Sequence, residues 1–266
     1  MEGFVDTIQW IDTIQCGDSK ELLGKLPDGS VDLTVTSPPY DNLRVYKGFQ
    51  WDFCGIANEL FRVTKPGGIV VWIVNDGTVD GSETGTSFKQ ALYFKDVAGF
   101  RLHDTMIWRK TNPMPQVKQP RYASCFEYMF VLSKGKPKTF NPIMRKTKCG
   151  GRKYDSTCKN MGGENGRTKK EFDINLESVQ YNVWDVQVAK NKTAHPAVFP
   201  EQLAHDHIIT WSNPGELVLD PFVGSGTTAL EARRTGRHYI GFDISDEYCQ
   251  MARDRISNDG KKKNGV

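Results

Sequence analysis

The sequence predicts an α/β fold: a mostly parallel sheet covered by helices on both faces. Three observations carry that prediction. Short β-branched or apolar runs alternate along the chain with segments of helical spacing. The run IVVWIV at 69–74 is apolar without a break, the pattern of a strand buried on both faces. Between 217 and 243 a strand, a glycine turn, a helix and a second strand follow one another, the layout of a nucleotide-type cofactor site in a parallel sheet.

In chain order, DTIQWIDTIQCGD places apolar residues at Ile8, Trp10 and Ile14 and closes at Gly17-Asp18, which predicts a strand or hairpin and then a turn. Ser19 is placed to cap a short helix over KELLGKL, closed by Pro27-Asp28-Gly29. VDLTVT at 31–36 reads as a strand, and Ser37-Pro38-Pro39-Tyr40 stops it, because two prolines cannot donate to a sheet ladder. NELFRVTKPGG predicts the end of an amphipathic helix turning through Pro66-Gly67-Gly68 into IVVWIV. Asp76 to Ser87, rich in Gly, Ser and Thr, predicts a mobile connection. FKQALYFKDVAGF then predicts a helix ended by Gly99. RLHDTMIWRK and CFEYMFVLSKG predict two strands joined by a proline-rich link from Thr111 to Ala123. After a basic stretch, FPEQLAHDHIITWS predicts a helix stopped at Asn213-Pro214-Gly215. ELVLD is a strand, ALEARRTG a helix, HYIGFDI a strand and DEYCQMARDRISND a final helix, with a disordered lysine tail at 261–263.

At 266 residues, 38% hydrophobic and 25% charged, the chain is long enough for one α/β domain plus an insert. No run approaches the roughly 18–20 apolar residues that span a bilayer. The start MEGFVDTIQW lacks the basic and apolar regions of a signal peptide, so a cytoplasmic location is expected. The six cysteines include no C-x-x-C pair and read as reduced thiols without a metal. His205 and His207 form an H-x-H pair, but on a helix they point to different faces and read as surface or interface residues rather than metal ligands. The net charge of +3 hides an uneven distribution. Residues 134–170 carry twelve Lys and Arg against Asp155 and Glu164, a net +10, which leaves the remainder at −7 with 23 basic and 30 acidic residues. A polyanion is the natural partner of such a stretch.

The glycine turn reads Asp220-Pro221-Phe222-Val223-Gly224-Ser225-Gly226-Thr227-Thr228. Glycines at 224 and 226 let backbone approach a ligand, and the helix start offers unpaired N–H groups and a positive dipole end. Asp243, 17 residues after Gly226 at the end of the next strand, is placed to accept hydrogen bonds from both hydroxyls of a ribose. Nicotinamide dinucleotides and S-adenosylmethionine both carry such a ribose, and Ala229 stands where the dinucleotide fingerprint tolerates it. Asp220 favours S-adenosylmethionine, since an acid there repels a pyrophosphate but accepts a hydrogen bond from an amino-acid ammonium.

TSPPY near the start and DPFVGSGTT near the end resemble the catalytic and cofactor motifs of the DNA amino-methyltransferases, S-adenosylmethionine-dependent enzymes that methylate the exocyclic nitrogen of cytosine or adenine. LFRVTKPGGIVVW, IWRKTNPMP, FEYMFVLSKG and HPAVFP match further motifs, and the order of the halves is similar to that of the β class. The resemblance covers nearly the whole chain except residues 134–181. It implies a Rossmann-like methyltransferase fold, circularly permuted, with the catalytic half at 1–133, a basic target-recognition insert at 134–181, the cofactor half at 182–256 and a disordered tail at 257–266. It also implies that Asp18 sits near the cofactor adenine and that His195 and Phe199 flank the methionine portion.

The chemistry explains the first motif. An exocyclic amino group is a poor nucleophile because its lone pair is delocalised into the ring. Two acceptors against its two N–H bonds, Ser37 Oγ and the carbonyl of Pro38, draw it towards a tetrahedral nitrogen. Pro39 stiffens the backbone and Tyr40 stacks on the base. A base inside a duplex cannot reach such a pocket, so it is expected to rotate out, at a cost of a few kcal/mol. Double-stranded DNA is then the partner of the insert, with Lys146, Lys148 and Lys153 gripping phosphate and Arg145, Arg152 and Arg167 able to read guanine edges. Family members with serine first often act on cytosine N4, those with aspartate more often on adenine N6, which makes cytosine the expected target. The resemblance leaves open the recognition sequence, the oligomeric state and a cognate restriction endonuclease acting separately. A nicotinamide-dependent dehydrogenase explains the glycine turn and Asp243 but leaves TSPPY and the basic stretch without a role. A DNA-binding protein that has lost catalysis explains the basic stretch but not the intact Ser37, Pro38 and Tyr40.

Overall fold

The computed structural model of the protein describes residues 7–39, 51–113, 120–159, 167–189 and 200–263. The chain divides into a larger unit, residues 1–141 and 182–266, and a smaller one, Pro142–Tyr181.

The larger unit opens with a 3-10 turn at Thr7–Trp10, then β1 (Thr13–Cys16), α1 (Ser19–Gly24), β2 (Val31–Thr36), α2 (Phe53–Val63) and β3 (Thr64–Val74). A two-rung hairpin, β4 (Thr78–Val79) and β5 (Ser82–Glu83), precedes α3 (Thr86–Tyr93) and the antiparallel strands β6 (Arg101–Lys110) and β7 (Phe126–Ser133). In the smaller unit lie β8 (Met144–Lys146), β9 (Lys153–Lys159), β10 (Arg167–Asp173) and β11 (Glu177–Val179). The larger unit resumes with β12 (Val183–Val186), α4 (Glu201–Trp211), β13 (Leu217–Asp220), α5 (Thr227–Arg234), β14 (His238–Asp243) and α6 (Asp246–Lys263).

Among the described residues eight strands form one sheet in the order β1-β14-β13-β2-β3-β7-β6-β12. Every neighbouring pair is parallel except those made by β7, which runs against both β3 and β6. The carboxyl ends of β1, β14, β13, β2 and β3 therefore emerge at a single edge, where open parallel sheets place their ligands. One face is covered by α1, α2 and the α3 region through a core that includes Leu23, Leu26, Ile56, Leu60, Trp72 and Phe94. Trp72 is fully buried, and its indole N–H donates to Gln90 Oε1 at 2.8 Å, so the ring adds area without an orphaned donor. On the other side α4 and α5 pack together, with α5 against β13 and β14 and α6 against β1 and β14.

Several details differ from the sequence reading. The helix over 88–100 is not uniform: α3 ends at Tyr93 and continues as a π turn, Phe94–Ala98, before Gly99 turns out of it at φ 100°. Residues 76–87 are an organised connection. Asp76 gathers them, its carboxylate accepting from the Ser87 N–H at 2.9 Å and the Ser87 hydroxyl at 2.5 Å. The final helix runs on through the lysines to Lys263. His207 is completely buried, its ring 4.6 Å from Trp184 and its Nε2 3.2 Å from Met129 Sδ, so it is a core residue and not a surface one.

The smaller unit is two antiparallel ribbons, β9 with β10 and β8 with β11. Backbone bonds from Thr147 to Leu176 and from Ile174 to Arg152 join them. Its start falls eight residues after that of the charge run, because residues 134–141 belong to the larger unit. Lys134 shows why: its ammonium donates to the carbonyls of Phe61 at 2.6 Å and Thr64 at 2.9 Å, closing the end of α2.

Candidate active site

The two motifs meet at the carboxyl edge of neighbouring strands. Ser37-Pro38-Pro39 follows β2, and the Asp220–Thr228 turn follows β13, which pairs with β2 in parallel register. Ser37 and Gly224 are 187 positions apart in sequence and leave the sheet on the same edge. Pro38 is buried, while Ser37 and Pro39 are half-buried.

The glycine turn is held from three sides. Ser19 Oγ donates to the Pro221 carbonyl at 2.5 Å, tying the first helix to the turn. Arg255 donates to Ser225 Oγ at 3.1 Å and Thr227 Oγ1 at 2.9 Å, drawing both hydroxyls towards α6. Gly226 sits at φ +80°, and a Cβ there would lie 2.9 Å from Ala252 Cβ, so only glycine lets α6 pack this close. The turn also presents backbone at the start of α5 to a ligand.

Asp243, at the end of β14, braces the same turn: one carboxylate oxygen accepts from Gly224 N–H at 3.0 Å and the other from Ser245 N–H at 2.9 Å. Burial raises its pKa, opposed by those backbone donors. Gly17 N–H donates to the Asp243 carbonyl at 2.9 Å, which sets Asp18 beside it. Asp18 also caps α1, accepting from the N–H groups of Lys20 at 2.9 Å and Glu21 at 3.1 Å.

Asp220 ends β13. Its carboxylate is turned inward, 6% exposed, and Oδ1 accepts from Thr36 Oγ1 at 2.7 Å and from Phe222 N–H at 3.0 Å. Burial pushes this carboxyl up to about 6, against the hydrogen bond from Thr36 that holds it down. Thr36 and Arg255 are therefore site residues that the motif reading passed over. Thr36 carried a signal, as the first letter of TSPPY, whereas nothing in the sequence pointed to Arg255. Phe222 lies beside Trp51 at 5.2 Å and Trp72 at 6.2 Å, which roots the turn in the aromatic core.

Tyr40, His195 and Phe199 lie outside the described residues, as does the side chain of Arg167 in β10. In the smaller unit Lys146, Lys148, Arg152 and Lys153 are exposed. Arg145 is instead stacked on Tyr181, its guanidinium carbon 3.9 Å from the ring centroid.

Comparison with known proteins identifies the family. The model of a DNA methylase family, of the N6/N4 type, matches residues 31–254. The orphan methyltransferase M.BamHII of Bacillus amyloliquefaciens is 50% identical over 249 residues, spanning 90% of this chain and 92% of that protein. The type II methyltransferase M.Cfr9I of Citrobacter freundii is 27% identical over 91% of this chain and 87% of its own. Among solved structures, PvuII DNA methyltransferase, cytosine-N4-specific, superposes with a TM-score of 0.68 over 91% of this chain and 85% of that one, at 22% identity, a likeness of fold.

The site and the fold define a Rossmann-like methyltransferase. The chain belongs to the N6/N4 DNA methylase family and is an S-adenosylmethionine-dependent DNA methyltransferase of that type. That membership displaces the nicotinamide-dehydrogenase reading. Among the described residues no helix is long and apolar enough to cross a membrane.

Proposed function

We propose that the protein methylates the exocyclic N4 of cytosine in duplex DNA, with the target base rotated out of the stack. The observation that supports one shared site is the pairing of β2 with β13, which brings Ser37-Pro38 and the glycine turn to one edge, joined by the 2.7 Å bond from Thr36 to Asp220. S-adenosylmethionine, when bound, supplies a methyl group activated on a positively charged sulfur. The residues present fit it. Backbone at Gly224 and Gly226 gives close approach, and Asp243 offers a carboxylate whose oxygens each accept one backbone N–H and keep a second lone pair for a ribose hydroxyl. By the family resemblance Asp18 is assigned to the adenine side and His195 and Phe199 to the methionine side.

In this reading Ser37 Oγ and the Pro38 carbonyl accept the two N–H bonds of the amino group, which turns its lone pair away from the ring and out towards the methyl donor. Tyr40 holds the base face, and the proton passes to solvent after transfer. Serine is a neutral acceptor, which favours cytosine N4. The chain order, SPPY strand before glycine-turn strand, fits the permuted arrangement of the β class. The exposed Lys146, Lys148 and Lys153 bind phosphate, and Arg145, Arg152 or Arg167 reads guanine edges. Incubation with DNA and methyl-labelled S-adenosylmethionine, followed by nucleoside analysis, tests this. Label in N4-methylcytosine is expected, and label in N6-methyladenine would reassign the base.

A further inference from the structure

β2 loses its partner on the cofactor side before it reaches the catalytic motif. Its ladder with β13 pairs Leu33 with Val218 and Thr34 with Leu219, whereas the ladder with β3 continues to Thr36, opposite Trp72. Beyond Thr34, side chains take over on the β13 side. Thr228 Oγ1 reaches the Val35 carbonyl at 3.2 Å, and Thr36 Oγ1 donates to Asp220 Oδ1 at 2.7 Å. Thr36, Asp220 and Thr228 are 1%, 6% and 2% exposed, so this contact is shielded from water. A buried carboxylate is a costly way to join two strands where an apolar pair serves, and its presence asks for a task that packing alone does not meet. The same oxygen also accepts the Phe222 N–H at 3.0 Å, so one atom holds both the first residue of the TSPPY motif and the start of the glycine turn.

We propose that Thr36 and Asp220 are positioning residues, whose hydrogen bond fixes Ser37 and Pro38 relative to the cofactor turn and so sets the distance over which the methyl group moves. The inference rests on the proposed role of Ser37. Asp220 touches neither substrate nor cofactor in this account; it acts through Thr36.

The test is single-turnover methyl transfer by the full chain on duplex DNA, with S-adenosylhomocysteine and DNA affinities measured in parallel. Thr36→Val keeps the branched shape and removes the donor. Transfer should slow roughly 10- to 100-fold, the range for a lost hydrogen bond to a charged group, with both affinities within about twofold. Thr36→Ser, which restores the hydroxyl, should return the rate to within about threefold, a recovery that a packing role would not give. Asp220→Leu, which keeps a similar volume and removes the acceptor, covers the case in which Thr36→Val does not fold. It should slow transfer with S-adenosylhomocysteine binding retained. Transfer at the wild-type rate in the valine or the leucine variant overturns the proposal. So does a matching loss of S-adenosylhomocysteine affinity, which would make Asp220 a cofactor ligand. Ser37→Ala, run alongside, separates the levels: if it too transfers normally the reading of the site falls, and if only the Thr36 and Asp220 variants do, the positioning role falls alone.

Discussion

At the scale of single residues, two buried ionisable groups pull stability in opposite directions with pH. His207 has its pKa lowered to about 3 by burial, far below the ordinary 6.5. Between those values the unfolded chain binds a proton that the folded chain refuses, so stability is lost as pH falls from 6.5. The loss should be about 3 kcal/mol by pH 4. His207→Met, which fills the space beside Trp184 and Met129 with a group that does not titrate, should remove that part of the slope in urea denaturation at pH 4 to 7. An unchanged slope would mean that the ring reaches water. Asp220, raised to about 6, works the other way: the folded state holds the extra proton, and stability falls as pH rises from about 4 to 6 before levelling off. The sequence could not show either. An H-x-H pair on a helix puts one ring out and one in, and the choice was made by neighbours 78 and 23 positions away, Met129 and Trp184.

At the scale of elements, the strands were legible because their signals are local. VDLTVT, IVVWIV and the glycine turn carry β-branching, unbroken apolarity and positive-φ glycine in their own residues. Their placement at one edge followed from the parallel order alone. What was not legible depends on side chains that reach across the fold. Asp76 organises a stretch that composition marks as mobile, and Lys134, part of a basic run, closes a helix instead of facing a polyanion. The inward turn of Asp220 needed the Thr36 hydroxyl, which only the β2–β13 pairing brings near. Gly226 tests the helix packing beneath the cofactor turn. Gly226→Ala must adopt φ +80° and push against Ala252, so it should cost at least about 2 kcal/mol in thermal denaturation and weaken S-adenosylhomocysteine binding in calorimetry. Wild-type stability and affinity would show that α6 yields freely.

At the scale of the whole molecule, the division of labour between the two units makes a separable prediction. Replacing Lys146, Lys148 and Lys153 by Glu should weaken DNA binding and flatten its salt dependence, by about 0.9 in the log–log slope for each phosphate that is no longer neutralised. Affinity for S-adenosylhomocysteine should not change, because the glycine turn belongs to the other unit. Loss of cofactor binding in that variant would make the smaller unit part of the catalytic core.

The claim on which all of this depends is that Ser37 helps make an aromatic amine nucleophilic at the edge where the glycine turn opens. Single-turnover transfer of labelled methyl to duplex DNA by Ser37→Ala measures it directly. The rate should fall by at least about 100-fold while S-adenosylhomocysteine binds as in the wild type. Transfer at the wild-type rate would contradict the account.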